Sequence, residues 1–271
     1  MPAQGRAPLP ALWRWPRALW RLARAALHFF HGMAVLAWRF PSLDEAGRQQ
    51  RIAWFGGKML RLLGLQVECH GRARPGATLL IANHISWLDI AAIHAACPQA
   101  RFVSKADIRH WPLVGWLANG VGTLFIVRER KRDAVRVVHE MGAALQRGET
   151  VAIFPEGTTG AGRQVLPFHA NLLQAAISTE TPVQPVLLRY SQPGRPVSPA
   201  AEYIDEMTLL ESIWRVISAD GLRVDVRFLS AQGSRHADRR ALSQALHDEL
   251  EHELQRDMAR ASTGVVGQPL P

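Results

Sequence analysis

The sequence predicts an α/β fold, in which a mostly parallel sheet carries helices on both faces and is preceded by a basic helical hairpin. Two features predict it. After residue 65, short apolar runs alternate with segments of helical periodicity, which is typical of a largely parallel sheet. Before residue 64, two helical patterns follow one another, the first rich in arginine and tryptophan. Because 48% of the 271 residues are hydrophobic, the chain can form a packed core.

The positive charge of the chain is confined almost entirely to its first segment. The formal net charge is +9, and residues 1–63 contain ten basic and two acidic residues, so they account for +8 of it. The remainder is close to neutral, which argues against a nucleic-acid groove in the α/β body. A basic segment rich in aromatic residues is instead typical of contact with an anionic membrane surface.

The first predicted helix lies within residues 11–40 and combines tryptophans with arginines. Four arginines are spaced three or four residues apart and share one helical face: Arg14, Arg17, Arg21 and Arg24. The uncharged run 25–38 has fourteen residues, fewer than the roughly 20 that a spanning helix needs. We therefore expect this helix to lie in the membrane interface, with its arginines toward anionic headgroups. A single transmembrane anchor is the alternative.

A second predicted helix follows the first directly. It starts at the capping box Ser42-Leu-Asp-Glu45, continues with apolar residues at helical spacing and ends at Gly64. Together the two helices predict a hairpin that docks the body on a bilayer. The expected division is a membrane-associating helical segment at 1–64, an α/β domain at 65–261 and a flexible tail at 262–271.

The predicted elements of the body alternate along the chain. The strands are expected at 66–70, 78–82, 101–104, 123–127, 150–154, 183–189 and 223–229. The helices are expected near 87–96, 111–118, 132–147, 168–179, 208–217 and 237–260. Pro185 lacks a ladder donor, so its strand is expected at a sheet edge or with a bulge.

The two cysteines, Cys69 and Cys97, predict neither a disulfide framework nor a metal site. Their spacing does not match a metal-binding motif, and the sequence has no cluster of His, Cys, Asp and Glu with zinc-like spacing. We therefore expect no metal, and a reducing compartment is the default for such a chain.

The most informative stretch of the sequence places a histidine and an aspartate after a predicted strand. His84 follows the strand at 78–82, and Asp89 comes five residues later. Open α/β sheets have their active sites at the carboxyl ends of strands, and a carboxylate can make a histidine an effective general base. The pair can meet if His84 lies in the turn and Asp89 in the first turn of the next helix, with Ser86 as its N-cap. Taken alone, the spacing occurs by chance in many chains, and two residues that merely flank a loop are then the favoured interpretation.

Other polar groups also follow predicted strands. Glu156, Gly157 and Thr158 come after the strand at 150–154, where glycine permits a tight turn and close approach to a ligand. Arg128 and Lys105 follow two further apolar runs, and the planar guanidinium of arginine suits phosphate. The alternatives are a solvated turn and a solvated charged loop.

These blocks, in this order, resemble the lysophospholipid acyltransferase family, the 1-acylglycerol-3-phosphate acyltransferases. The matching blocks are Asn83-His84…Asp89, Gly122…Phe125…Arg128, Phe154-Pro-Glu-Gly-Thr158 and Val183…Pro185. The resemblance implies a glycerolipid acyltransferase-like fold. It also implies transfer of an acyl chain from acyl-CoA or acyl carrier protein to a lysolipid hydroxyl at the cytoplasmic face of the cell membrane. Apart from that co-substrate and membrane lipids, no cofactor and no nucleic-acid partner are expected.

The resemblance assigns a role to each candidate residue. His84 deprotonates the acceptor hydroxyl, and Asp89 orients and stabilises the histidine. The residues implied to bind the acceptor and its phosphate are Lys105, Arg128, Glu156, Gly157 and Thr158. We expect 1-acylglycerol-3-phosphate as the acceptor and phosphatidic acid as the product.

One position departs from the pattern of the family. The third block often continues with arginine, whereas this chain has Thr159, so a possible phosphate contact is lost. The following residues 160–168 also resemble relatives that acylate lyso-ornithine lipid, which is phosphate-free. That acceptor is therefore the close second candidate.

Two other classes of function remain open at this stage. An acyl thioesterase would use water in place of the lysolipid, although the sequence has no Gly-x-Ser-x-Gly motif of a serine hydrolase. A non-catalytic adaptor would use the basic segment to bind membrane or nucleic acid. The sequence does not predict an oligomeric state.

Overall fold

The computed structural model describes residues 11–105, 111–126 and 131–262. The α-helices are α1 (Ala11–Trp38), α2 (Glu45–Leu63), α3 (Leu88–Ala96), α4 (Val114–Gly120), α5 (Lys131–Gln146), α6 (Gln174–Ser178), α7 (Leu209–Ser218) and α8 (Arg239–Ser262). Short 3-10 helices cover Phe40–Ser42 and Ala170–Leu173. The strands are β1 (Gln66–His70), β2 (Thr78–Ala82), β3 (Arg101–Lys105), β4 (Leu124–Ile126), β5 (Thr150–Ile153), β6 (Val183–Ser191) and β7 (Arg223–Phe228).

The strands form one sheet in the order β1-β7-β6-β2-β5-β3-β4. The β6–β7 pair is antiparallel, and every other neighbouring pair is parallel. The predicted α/β fold with a mostly parallel sheet is therefore confirmed. Strand β2 is the central strand of the sheet, and all five of its residues are buried. The residues that follow β2 therefore lie at the middle of the edge formed by the carboxyl ends of the parallel strands.

Helices cover both faces of the sheet, as predicted. The residues of β2 accordingly alternate between two apolar cores, one on each face. Leu80 packs in one core, while Leu79 and Ile81 pack in the other, as the period of two in a strand requires. The first core includes Leu60, Ile93 and Val216 from α2, α3 and α7. The second includes Met141, Ala175 and Leu246 from α5, α6 and α8.

Of the two alternatives predicted for the strand of Pro185, a sheet edge or a bulge, the sheet edge is wrong. Strand β6 lies inside the sheet, between β2 and β7. The β6–β7 register begins one residue later, at Val186 and Phe228, and the Pro185 carbonyl accepts a hydrogen bond of 2.9 Å from the Leu229 amide. The missing donor of proline therefore falls where the antiparallel ladder starts, and the Leu229 carbonyl accepts instead from the side-chain amide of Gln184 at 2.9 Å.

The N-cap of α2 is Asp44 and not Ser42, the first residue of the predicted capping box. The Asp44 carboxylate accepts from the Gly47 amide at 2.9 Å. Ser42 belongs to the preceding 3-10 helix, and its hydroxyl donates to the Arg39 carbonyl at 2.9 Å. The predicted end is confirmed, because Gly64 caps the helix with a φ of 99°.

Two of the four arginines of α1 face the body of the protein. Arg17 forms an ion pair with Asp220, and Arg21 donates to the carbonyls of Ile217 and Ala219, both at 2.8 Å. These carbonyls lie at the C-terminal end of α7, where a cation interacts favourably with the helix dipole. The prediction that this row of arginines points toward lipid headgroups is therefore wrong for Arg17 and Arg21.

The outward side of α1 is apolar. Its exposed large side chains are Trp15, Leu19, Trp20, Leu22, Leu27, Phe30 and Trp38, the last with 81% of its surface accessible. At 100° per residue, Trp15, Leu19 and Phe30 fall within about 60° of one another, on the side opposite Arg17 and Arg21. In the described part of the chain, no helix has the length and apolarity required to cross a bilayer.

The arginines that hold α1 provide a test of this docking. We expect Arg17→Gln with Arg21→Gln to speed amide hydrogen exchange along α1 about tenfold, because the charged hydrogen bonds to α7 are lost. Exchange would be followed by mass spectrometry on the folded protein. Arg14→Gln with Arg24→Gln is the matched control, since both side chains are exposed and the same charge is removed. Equal effects of the two pairs would contradict the observed docking.

Candidate active site

The site begins where β2 ends, and an asparagine side chain fixes that position. The Asn83 amide donates to the Leu188 carbonyl at 2.9 Å and accepts from the Leu188 amide at 2.8 Å. The side chain thus continues the pairing between β2 and β6 after the last strand residue. His84 consequently leaves the sheet at the carboxyl edge of β2 from a firmly held position.

His84 and Asp89 meet across the turn that joins β2 to α3. The His84 Nδ1 atom lies 2.8 Å from Asp89 Oδ2, and Asp89 stands in the first turn of α3. The Asp89 side chain is fully buried, while that of His84 is 20% exposed. A carboxylate at Nδ1 favours the tautomer that leaves the Nε2 lone pair free to accept a proton.

The expected N-cap role of Ser86 is wrong. The N-cap of α3 is Trp87, which makes no side-chain cap bond, and the Ser86 hydroxyl has no partner among the described residues. The carboxylate reaches back instead: Asp89 Oδ2 accepts from the amides of Ile85 and Ser86 at 2.7 and 2.9 Å. The residue that orients the histidine therefore also satisfies the amides that precede the helix.

Aromatic stacking fixes the plane of the histidine ring. The rings of His84 and Phe154 are nearly parallel, 11° apart with 3.9 Å between centroids, and Phe154 stacks in turn on Phe102 at 5.6 Å. A phenyl face against an imidazole restricts the rotation of the imidazole ring. The exposed edge of the ring remains available to a substrate.

The loop after β5 holds the backbone of His84 from both sides. The His84 amide donates to Glu156 Oε1 at 3.2 Å, and the His84 carbonyl accepts from the Gly160 amide at 2.7 Å. Gly157 makes this loop possible, because its φ of 73° lies in the left-handed region that glycine adopts without strain. The first and third sequence blocks are therefore one structural unit.

The carboxyl group of Glu156 is buried inside this unit, with only 5% of the residue exposed. Burial, with a smaller contribution from the nearby Asp89 carboxylate, raises the pKa of Glu156 to about 8, although hydrogen bonds from the backbone amides of His84 and Leu166 act in the opposite direction. The residue is therefore neutral at pH 7 and acts as a hydrogen-bonding group of the loop.

The other predicted site residues have different positions. Thr158 is exposed on the same loop, and Thr159 donates its hydroxyl to the Tyr203 carbonyl. Lys105 ends β3, and its side chain is not described. Arg128 lies outside the described residues.

Sequence reasoning missed Tyr190 entirely. Its hydroxyl donates to Asp89 Oδ1 at 2.7 Å. No motif marks this residue, since it lies just past the predicted end of its strand. The one available signal was its place near the carboxyl end of a strand that neighbours β2.

Within the described ranges, a possible set of metal ligands is Glu68, His70 and Asp225, on strands β1 and β7. Arginines already hold both carboxylates: Arg223 lies 3.0 Å from Glu68, and Arg189 lies 2.7 Å from Asp225. These contacts favour a structural ion-pair cluster.

The chain is similar in sequence to known proteins. A model of the family described as Acyltransferase matches residues 66–189. The lyso-ornithine lipid O-acyltransferase of Pseudomonas aeruginosa is 34% identical over 233 residues, which cover 84% of this chain and 89% of that protein. The 1-acyl-sn-glycerol-3-phosphate acyltransferase of Neisseria gonorrhoeae is 35% identical over 189 residues, 69% of this chain and 73% of that protein.

A solved structure shares the fold. The crystal structure of the 1-acyl-sn-glycerophosphate (LPA) acyltransferase PlsC from Thermotoga maritima aligns with a TM-score of 0.69 at 18% identity. The alignment covers 95% of this chain and 99% of the other. The likeness therefore extends over the helices before the sheet as well as over the sheet itself.

The pKa of Glu156 predicts how stability depends on pH. The folded protein keeps this proton up to about pH 8, whereas a carboxyl group in the unfolded chain loses it near its model value of 4.5. Between these values the native state binds more protons, so Glu156 makes the wild type less stable as pH rises. Glu156→Gln keeps an acceptor oxygen but does not titrate. Its free energy of unfolding relative to wild type should rise with pH, by at most about 1.4 kcal/mol per pH unit.

Urea unfolding at pH 5, 6, 7 and 8 measures this difference. Glu206→Gln, at an exposed carboxyl group, is the control and should differ from wild type by a constant amount. A constant difference for Glu156→Gln as well would show that Glu156 is ionised in the native state.

Proposed function

The chain belongs to the acyltransferase family and is an O-acyltransferase, and we propose that it acylates the free hydroxyl of a lysolipid. The proposed donor is acyl-CoA or acyl carrier protein, and the proposed acceptor is 1-acylglycerol-3-phosphate, which gives phosphatidic acid. The observation that carries the proposal is the His84–Asp89 pair at the sheet edge, with Nδ1 held at 2.8 Å by a buried carboxylate. Family membership favours acyl transfer over the thioesterase and the non-catalytic adaptor.

In the proposed reaction, His84 acts as the general base. Its Nε2 atom takes the proton of the acceptor hydroxyl while the oxygen attacks the thioester carbonyl, and Asp89 stabilises the imidazolium that forms. The new C–O bond forms, the C–S bond breaks, and the thiolate leaves with the proton from the imidazolium. A thioester is already activated, so positioning of the two substrates supplies much of the remaining rate enhancement and no cofactor is required.

We propose that the acceptor binds along the loop after β5. Thr158 is exposed there, and the positive φ of Gly157 allows the backbone to approach a ligand closely. Glu156 contributes by holding the loop against His84, as its bond to the His84 amide supports. Arg128 and Lys105 are proposed to hold the acceptor phosphate, because both side chains are cationic and suit phosphate. Lys105 is the last residue of β3.

Lyso-ornithine lipid is the second candidate acceptor, and a specific observation favours it. Thr159 stands where the family pattern described above often has arginine, and its hydroxyl donates to the Tyr203 carbonyl. The alignment with the Pseudomonas aeruginosa relative, named as a lyso-ornithine lipid O-acyltransferase, also covers more of this chain than the alignment with the Neisseria gonorrhoeae protein.

We further propose that the protein works at the cytoplasmic face of the cell membrane and that the helices of residues 1–64 contact the bilayer. Support comes from the apolar outward side of α1, where tryptophans, leucines and phenylalanine are exposed together. Such a face suits the boundary between headgroups and acyl chains. The flexible tail at 262–271 is proposed from composition, and residues 263–271 lie outside the described residues.

A direct test compares wild type with His84→Ala. We expect acyl transfer to fall by at least about a hundredfold, because general-base catalysis contributes at least this much. Thiol release and lipid product would be measured with purified protein, and circular dichroism would verify that the variant is folded. Turnover close to wild type would refute His84 as the base.

An acceptor panel in the same assay decides between the two lipids. Lysophosphatidate and lyso-ornithine lipid would be supplied separately and in competition. We expect the larger kcat/KM for lysophosphatidate. A larger value for lyso-ornithine lipid would assign the second candidate, and thiol release unaffected by either lipid would indicate a thioesterase.

Membrane contact through α1 has its own test. Leu27→Glu places a charge on the outward side of α1, and we expect it to lower recovery on anionic vesicles severalfold in a flotation assay. Val135→Glu on α5 is the matched control, because the two side chains are 71% and 70% exposed. Equal recovery of both variants would show that α1 does not bind the bilayer through this face.

A further inference from the structure

Tyr190 lies on β6 and is in direct contact with the acid of the His84–Asp89 pair. Its residue surface is 1% exposed, and its hydroxyl donates to Asp89 Oδ1 at 2.7 Å. Burial raises the pKa of Tyr190 well above its ordinary value, and the Asp89 carboxylate raises it further. The hydroxyl therefore keeps its proton and remains a donor throughout the working pH range.

The two oxygens of Asp89 have unequal hydrogen bonding. Oδ2 accepts from His84 Nδ1 and from the amides of Ile85 and Ser86. Among the described residues, Oδ1 accepts from the Tyr190 hydroxyl. Because Asp89 is fully buried, water cannot replace that donor without rearrangement. A buried carboxylate oxygen that loses its donor is costly, and its negative charge becomes less stable.

Strand β6 supports the pair at two neighbouring positions. The backbone of Leu188 holds Asn83, the residue before His84, and Tyr190 two residues later holds Asp89. The β6 backbone at Tyr190 is itself fixed, because its carbonyl accepts from the Ser198 amide at 2.8 Å and its register partner on β7 is Val224. The hydroxyl is therefore presented to Asp89 from a rigid strand.

We propose that Tyr190 is a positioning residue for the reaction, which keeps Asp89 ionised and oriented so that its carboxylate holds the Nδ1 proton of His84. The proposal rests on the proposed role of His84 as the base. It extends the hydrogen-bonded pair to a chain of three side chains, Tyr190–Asp89–His84. Its third member lies one residue beyond the matched family region, which ends at residue 189.

If Tyr190 had only a packing role, its ring would matter and its hydroxyl would not. The residue belongs to the apolar core beneath the site, and its ring fills space there. Tyr190→Phe keeps the ring and removes the hydroxyl alone, so it separates the two roles. Ser234→Ala is the control, since it removes another buried hydroxyl, one that donates to the carbonyls of Ala176 and Thr181.

The first measurement does not need substrate. The titration of the His84 imidazole would be followed by NMR in wild type and in Tyr190→Phe, with His84→Ala used for assignment. Removal of the donor makes the Asp89 carboxylate more basic, so the coupled pair holds its proton more tightly. The titration midpoint should move to higher pH in Tyr190→Phe and stay in place in Ser234→Ala. The other ionisable group that acts on Asp89, Glu156, is unchanged in both variants. An unmoved midpoint would overturn the proposal, whatever the activity of the enzyme.

The second measurement is a double-mutant cycle on acyl transfer. Tyr190→Phe should lower kcat about tenfold with little change in KM, which corresponds to one hydrogen bond to a charged group. In the Asp89→Asn background the same change should have no further effect, because Tyr190 acts through the carboxylate. Independent losses that multiply would overturn the proposal, because the Tyr190 hydroxyl would then not act through the Asp89 carboxylate. Absence of acyl transfer by the wild type would instead count against the proposed function, and the NMR result would still decide the role of Tyr190.

Discussion

The buried carboxylate of Asp89 is the constraint on which the site depends. A charge that is fully removed from water is tolerated only when hydrogen-bond donors surround it, and the chain supplies four: one imidazole nitrogen, two backbone amides and one tyrosine hydroxyl. The two amides belong to the turn between β2 and α3, so the carboxylate stabilises the shape of this turn. The geometry of His84 is therefore a consequence of how the charge is satisfied. The five-residue spacing between His84 and Asp89 therefore reflects a specific turn geometry, in which the carboxylate contacts both the imidazole and the turn amides.

The loop after β5 shows why motifs far apart in sequence belong together. Glu156 and Gly160 bond the amide and the carbonyl of His84, while Phe154 stacks on its ring. Glu156 can remain neutral in this position, since burial raises its pKa to about 8 and a second ionised carboxylate beside Asp89 would be repelled. The two buried acids thus have different roles. Asp89 carries the negative charge that would stabilise an imidazolium, and Glu156 accepts a hydrogen bond from the backbone amide of His84.

The sequence was sufficient for the fold because each strand and helix has a strong local signal. Strand β2 reads as an unbroken apolar run, and the glycine at position 64 ends α2 as its position suggested. Local signals failed where a tertiary contact decided the outcome. Pro185 is accommodated inside the sheet because a ladder begins one residue later. Ser86 does not cap α3 through its side chain, because the Asp89 amide donates to the Ser86 carbonyl at 3.1 Å and not to its hydroxyl. The contact of Tyr190 with Asp89 was not predictable, because the two residues are 101 positions apart and no sequence motif includes both.

Two arginines of α1, Arg17 and Arg21, do not follow the usual interpretation of a basic amphipathic helix. Charge periodicity identifies a face but not its partner, and here Arg17 and Arg21 bind Asp220 and the C-terminal carbonyls of α7. The same helix α7 presents Ser212, whose hydroxyl accepts from the Trp87 indole at 3.0 Å, and Trp87 lies between His84 and Asp89 in the chain. An unbroken series of contacts therefore joins the apolar side of α1 to the turn that carries the base. If that side lies in the bilayer, these contacts fix the position of His84 relative to the lipid surface from which a lysolipid must come.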